Sequence, residues 1–353
     1  MPYTAETLIA HVERDDPSPE TIALASDILR AGGLVAFPTE TVYGLGANAL
    51  DADAISHIFE AKQRPANDPI IVHLAEPDDI GIVASDVPDL VGQLAEAFWP
   101  GPLTLIMKKH RDVPGNVTAQ RDTVAVRIPN HPIALSLLRA SGVPIGAPSA
   151  NRFSRPSPTR AEHVLADLGG HVDVVLDGGN TDIGVESTIL DLTSAIPTLL
   201  RPGGIPLEAL RDIIPDVQYT PLYIEEDGIA PSPGTLSKHY APQAQLTVYD
   251  GPREIVLPHI HRIAEGHLEN NDRVGLLLPN GDVSRFEDLP VSIATLGDDE
   301  STTAARLYAA LRELDNLNVD IILARAPEEG GLGLAIRDRM TRAAEGRVVK
   351  VQS

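Results

Sequence analysis

The chain has 353 residues, 43% of them hydrophobic, so it can bury a large core, and its length suggests two domains. It lacks cysteine, which excludes disulfides, thiolate catalysis and cysteine metal sites. The formal net charge is −22 and both parts are acidic, with 18 acids against 12 bases from Asp250 onward, so neither offers a domain-wide basic surface for nucleic acid. No apolar run is long enough to cross a membrane, and "MPYTAETLIAHVERDD" has neither the basic nor the apolar part of a secretory signal, so a cytoplasmic protein is expected.

In chain order, Ser18-Pro19 predicts a helix start, with Ile22, Ala25 and Leu29 as its buried stripe and Gly32-Gly33 as its end. "LVAFPT" (34–39) reads as a buried strand. In "DADAISHIFEAK", Ile55, Ile58 and Phe59 form a helical stripe whose next position is Lys62, one of only five lysines. Arg64 follows, then two prolines and the strand "PIIVHL". A helix is expected over about 89–98, stopping at "WPGP", and "LTLIMKK" and "TVAVRIP" read as strands. Thr159 and Glu162 have the spacing of a capping box. "VDVVLDGG", "ESTILDL" and "TLLRPGG" are three more strands. Together these predict one α/β domain over 8–212 with a twisted mixed sheet. Residues 213–245 are proline-rich and without period, which predicts a linker long enough to be functional. From 246 onward, strands and helices alternate as in a small Rossmann-like domain.

Strand parity selects the chemistry. Thr123, Ala125 and Arg127 share one face of "TVAVRIP", opposite Val124, Val126 and Ile128. In "PIIVHL", His73 shares a face with Ile71. In "GAPSAN" (146–151), small residues allow close backbone approach to a ligand, and Ser149 and Asn151 share a face if the segment is extended. Ser187 is on the Ile189 face of "ESTI", and Arg201 closes an apolar strand where it could hold an anion by two parallel bonds. Lys62, Arg64, Arg127 and Arg201 could therefore converge on one electropositive cavity suited to an anionic substrate such as a nucleoside triphosphate. There is no G-x-x-x-x-G-K-[ST], so side chains would have to hold the phosphates. "GLGANA" (44–49) fits a loose dinucleotide fingerprint, but its glycines lie too far beyond the strand, which argues against a nicotinamide site.

The segments "PTETVYGLGANA", "KQRPANDPIIVHL", "WPGPLTLIM", "TVAVRIP", "APSANRFSRPSPT", "ESTILDL" and "RPGGI" come in the order and approximate spacing of the YrdC-like threonylcarbamoyl-AMP synthases, which the chain resembles over nearly its whole length. Lys62-x-Arg64 and Ser149-x-Asn151 match the family's KxR and SxN signatures. "SPGTLSKHYAP" and "GLGLAIRDRMTRAA" are similar to the linker and C-terminal domain of its long form. The insert Thr235-Leu236-Ser237-Lys238 departs from the aromatic and basic residues common there.

The resemblance implies a YrdC-like mixed sheet with a central cavity and a smaller Rossmann-like domain. It implies synthesis of L-threonylcarbamoyladenylate from L-threonine, bicarbonate and ATP, with Mg²⁺ assisting and pyrophosphate released. The product would pass to a tRNA threonylcarbamoyl transferase that modifies the adenosine next to the anticodon. Threonine contacts fall on Thr41, His73, Arg127, Ala147 and Ser187. ATP contacts fall on Arg64, Asp68, Thr123, Ser149, Ser157, Arg201 and Tyr240, with Lys62 supporting the phosphates and Lys62, Arg64, Ser149 and Asn151 forming the catalytic set. No dedicated metal site is implied. The linker 213–245 is expected to act as a lid. Two alternatives stand beside this reading. One is a carbamoyl-adenylate-handling transferase, which would carry further zinc-finger and acylphosphatase modules. The other is a non-catalytic module for double-stranded RNA, which the net charge opposes, as it opposes stable direct tRNA binding.

Overall fold

The computed structural model describes residues 6–219, 221, 232 and 240–352. They fall into two compact units, one of residues 1–153 with 157–236, the other of residues 154–156 with 237–353. The division between 236 and 237 lies within the expected linker. Most of that linker is outside the described residues, as are His239 and the insert at 235–238. Its first part continues the first unit: Gln218–Tyr219 adds a short parallel strand beside Thr198–Arg201.

The first unit is built on one mixed sheet. Its strand order is Leu8–His11, Val174–Asp177, Val35–Pro38, Tyr43–Asn48, Ile145–Gly146, Ile71–His73, Thr123–Arg127, Leu103–Lys109, Thr188–Asp191, Thr198–Arg201 and Gln218–Tyr219. Helices Pro19–Arg30 and Pro132–Ser141 pack on one end of it, and Ile22, Leu29, Ile133 and Leu137 close over Val35, Phe37, Val174 and Leu176. The Ser18 cap forms as expected, its side chain accepting from the Thr21 amide. Helix Ala52–Lys62 starts at Asp51, which accepts from the Asp53 and Ala54 amides, and ends at left-handed Gln63, φ 53°.

One local expectation fails for an identifiable reason, and one segment left without an element gains one. The capping box at Thr159 does not form. The helix is Ala161–Leu168, capped by Arg160 without a side-chain bond, while the Thr159 amide and hydroxyl face His163 Nδ1. "GLGAN" is neither a loop nor a phosphate-binding turn but part of strand Tyr43–Asn48, antiparallel to Val35–Pro38. Its glycines serve packing: a Cβ on Gly46 would come within 2.8 Å of both Ile145 and Phe37.

The second unit has a wholly parallel five-stranded sheet, in the order Ser292–Thr295, Val274–Leu278, Ile321–Arg325, Gln245–Asp250 and Val348–Lys350. Helices Arg253–Glu269, Glu300–Asn316 and Gly333–Ala343 connect its strands. This is the predicted alternation. Asp338 is buried between Arg339 and Arg342, with contacts of 2.5 and 3.0 Å.

The Arg201-Pro202-Gly203-Gly204 turn ties the fold to the residues of interest. A Cβ on Gly203 would collide with the backbone of Glu186, Ser187 and Thr188. Gly203→Ala should therefore displace Ser187 and cost about 1–3 kcal/mol of stability. A thermal melt checks this, and an unchanged Tm would show that the turn yields.

Candidate active site

The sheet's register assembles the site. His73 pairs with Arg127, Arg127 with Thr104, Thr104 with Ile189, and Ile189 with Arg201. Paired residues on adjacent strands project from the same face, so these five form one row across five strands. The next row on that face is apolar, Ile71, Ala125 and Ile106, and it clusters with Ile189 of the first row and with Leu200, where the register of the Ile189 and Arg201 strands shifts. Thr123 lies beyond it at the start of the Arg127 strand, half-buried.

Arg127 is held on three sides. Its Nη1 donates to Thr41 Oγ1 at 3.0 Å, its Nε to the Gly101 carbonyl at 3.3 Å, and its Nη2 lies 2.8 Å from Glu40 Oε2. Both members of the ion pair are buried. Thr41 sits in the turn between two strands, where Thr39 Oγ1 organises the backbone and meets Thr41 Oγ1 at 2.8 Å. His73 is buried edge-on to Phe37. Burial, then the charge of Arg127, lowers its pKa to about 3, so the imidazole is neutral. Ala147 is buried one strand away, its amide bonded to the Ile71 carbonyl.

At the far end of the row, Arg201 donates through Nε and Nη2 to the Ser187 carbonyl at 3.1 and 2.9 Å, and through Nη2 to Ser187 Oγ at 3.1 Å. Ser187 Oγ lies 2.7 Å from Thr104 Oγ1. Ser157 donates to Glu186 Oε1 at 2.6 Å.

Lys62 ends its helix stripe pointing inward. Its ammonium donates to the carbonyls of Ser149 and Asn151, both at 2.5 Å, and its own carbonyl accepts from the Phe153 amide. Burial, then the adjacent Arg64, holds its pKa well below that of a free lysine. The 149–151 segment runs beside Tyr43–Asn48, with Ser149 bridged to Gly44. It bends from Ala150, so the shared face expected of Ser149 and Asn151 appears instead in their carbonyls, which both face Lys62. Arg64 is buried with Asp68, 2.9 Å away, and its Nη2 also donates to the Asp68 and Pro69 carbonyls.

Every sequence-predicted site residue except Tyr240 is therefore in the first unit. Tyr240 is in the second, buried with its ring 5.4 Å from Tyr308 and beneath the Arg339 guanidinium. Sequence reading missed Glu40, Thr104 and Glu186. Only Thr104 had a signal, being a threonine on an apolar strand.

Fold and site together define a two-domain protein of the Sua5, YciO and YrdC class. The profile of that class, described as telomere recombination, matches residues 27–203, and the profile of the threonylcarbamoyl-AMP synthase C-terminal domain matches 205–345. The threonylcarbamoyl-AMP synthase of Pyrococcus abyssi is 46% identical over 331 residues, covering 94% of this chain and 96% of the relative. That of Bacillus subtilis is 43% identical over 330 residues, covering 93% and 94%. The crystal structure of P. abyssi Sua5 complexed with L-threonine superposes with a TM-score of 0.93 at 43% identity, covering 98% of this chain and 100% of that one. The chain belongs to the threonylcarbamoyl-AMP synthase family.

The neutral histidines give a pH prediction. His131, buried beside the site, is lowered to about 4 by burial and then by Arg14. Between pH 6.5 and 4 the unfolded chain therefore binds a proton that the folded chain refuses, and stability falls as pH falls. His131→Gln should lose less stability than the parent between pH 7 and 4.5, as read from urea midpoints. Parallel losses would contradict this.

Proposed function

We propose that the protein makes L-threonylcarbamoyladenylate from L-threonine, bicarbonate and ATP, releasing pyrophosphate. The reading is supported by one conjunction: a chain related over nearly its full length to threonylcarbamoyl-AMP synthases has His73, Arg127 and Arg201 in register across one sheet face. Threonine's ammonium gives up a proton, and the resulting amine attacks the carbon of bicarbonate, forming the C–N bond as water leaves, to give a carbamate. A carbamate oxygen then attacks the α-phosphorus, and the bond to pyrophosphate breaks.

The side chains contribute position and charge. Threonine takes Thr41, His73, Arg127, Ala147 and Ser187. Glu40 fixes the Arg127 fork, and a neutral His73 can accept a hydrogen bond without repelling an ammonium. ATP takes Arg64, Asp68, Thr123, Ser149, Ser157 and Arg201. An ammonium has three donors and Lys62 commits two to carbonyls, which leaves one for a phosphate oxygen. Triphosphate binding would favour the charged form of this buried lysine. Asn151 presents its carbonyl to Lys62 and so belongs to the support of this group. The role of Tyr240 at the nucleotide and of 213–245 as a lid are parts of the same proposal.

In this reading magnesium enters as part of a Mg·ATP substrate, held through phosphates as is usual for this ion. No helix of the described residues is long and apolar enough to cross a membrane. The product is an activated carbamate, so an acyl-accepting transferase acting on tRNA is the consuming partner in this reading.

Labelled bicarbonate should enter an adenylate only when threonine and ATP are both present, and label incorporation without threonine would overturn the proposal. Arg64→Ala and Lys62→Ala should each lower kcat/KM for ATP by at least about tenfold, since one charge-assisted bond is worth about 1.5–3 kcal/mol. Normal turnover of the double variant would remove both from the site. Serine lacks one methyl, worth about 1–3 kcal/mol in a fitted pocket, so its kcat/KM should be lower by about tenfold to a hundredfold. Equal values for the two amino acids would mean that the pocket near Thr41 and Ala147 does not read the methyl.

A further inference from the structure

The Thr104–Ser187 pair holds one more proton than the described protein can use. Both side chains are wholly enclosed. Among the described residues, the only hydrogen-bond partner of Thr104 Oγ1 is Ser187 Oγ, at 2.7 Å. Ser187 Oγ has that contact and the Arg201 guanidinium, which can only donate. Two hydroxyls bring two protons, and the bond between them uses one. If Thr104 donates to Ser187, the Ser187 proton has no acceptor. If Ser187 donates to Thr104, the Thr104 proton has none. A buried donor left in this way costs about 1–3 kcal/mol, so the arrangement is unfavourable unless something else supplies an acceptor.

Position indicates what that acceptor is. Thr104 stands in the row between Arg127 and Arg201, one strand from the first and two from the second. An oxygen accepting the spare proton would lie on a face with a guanidinium to either side. Neutral acceptors gain little from such a place, whereas a carboxylate oxygen gains the charge of Arg201 and that part of the Arg127 charge which Glu40 does not offset. Thr41, a threonine contact in the function proposed above, is just as enclosed. Enclosure is thus a property of the whole site rather than a sign that Thr104 lies outside it.

We propose that Thr104 and Ser187 act as one hydrogen-bond donor for a carboxylate-type oxygen of the substrates, which makes Thr104 a substrate-binding residue. This rests on the threonylcarbamoyl-adenylate reading. Two sources share the chemistry: the carboxylate of threonine itself, and the bicarbonate-derived group that becomes the carbamate.

The test compares Thr104→Val, which keeps the shape and loses the donor, with Thr104→Ser, which keeps the donor and loses the methyl. Threonine binding is measured by calorimetry without ATP or bicarbonate, and turnover is measured against bicarbonate at saturating threonine and ATP. Thr104→Val should weaken one of these by about tenfold to a hundredfold, the range for a bond to a charged group, while Thr104→Ser stays within a few-fold of the parent. Weaker threonine binding identifies the threonine carboxylate as the source. A raised KM for bicarbonate with threonine binding intact identifies the one-carbon group.

The proposal is overturned if a folded Thr104→Val matches the parent in both measurements. It is equally overturned if Thr104→Ser is as defective as Thr104→Val, since the methyl rather than the hydroxyl would then matter. Should Thr104→Val lose its native Tm, Thr104→Ala takes its place in the same comparison. A parent protein that forms no threonine-dependent adenylate would instead sink the functional reading, which separates the two failures.

Discussion

Strand register is the constraint on which the site depends. His73, Arg127, Thr104, Ile189 and Arg201 come from five strands, and they face one way only because each is paired with the next, the last pair set by a register shift just past Ile189. A slip of one position in any strand would turn its polar residue to the opposite face. The apolar alternates hold that register. Val72, Val124, Val126, Leu105 and Leu190 are buried on the other face, and exposing them would cost far more than any single polar contact returns.

On this frame the charged groups are arranged so that none is simply placed in an apolar interior. Arg127 has Glu40, Arg64 has Asp68, and Lys62 has two carbonyl oxygens. Burying a charge without such partners would cost several kcal/mol. The partners also fix direction. Glu40 and Thr41 are neighbours in sequence and grip the same guanidinium, so a single turn sets the orientation of Arg127. Lys62 joins the end of one helix to the 149–151 backbone, so its removal loosens two elements together.

Much of this was legible in the chain. The alternation in "TVAVRIP" put Thr123 and Arg127 on one face, and the structure agrees. A lysine at the next position of an apolar helix stripe pointed inward, and Lys62 is buried. Glu40 and Glu186 were not legible, because their partners lie 87 and 29 positions away and nothing local distinguishes a paired acid from a solvated one. The Thr159 capping box failed because His163, four residues on, faces the Thr159 amide that the Glu162 side chain was expected to cap. Strand Tyr43–Asn48 was hidden by glycines, which weaken the strand signal and which the sheet uses for close packing. Tyr240 was singled out as a nucleotide contact, and within the second unit it packs on Tyr308 and Arg339.

A crystal structure of the protein with L-threonine and a non-hydrolysable ATP analogue tests the central claim most directly. The account predicts threonine lying across the row from His73 to Ser187, its carboxylate within hydrogen-bond distance of Arg127, and the analogue's phosphates beside Lys62, Arg64 and Arg201. Threonine bound on the opposite face of the sheet, or phosphates away from all three cations, would contradict it.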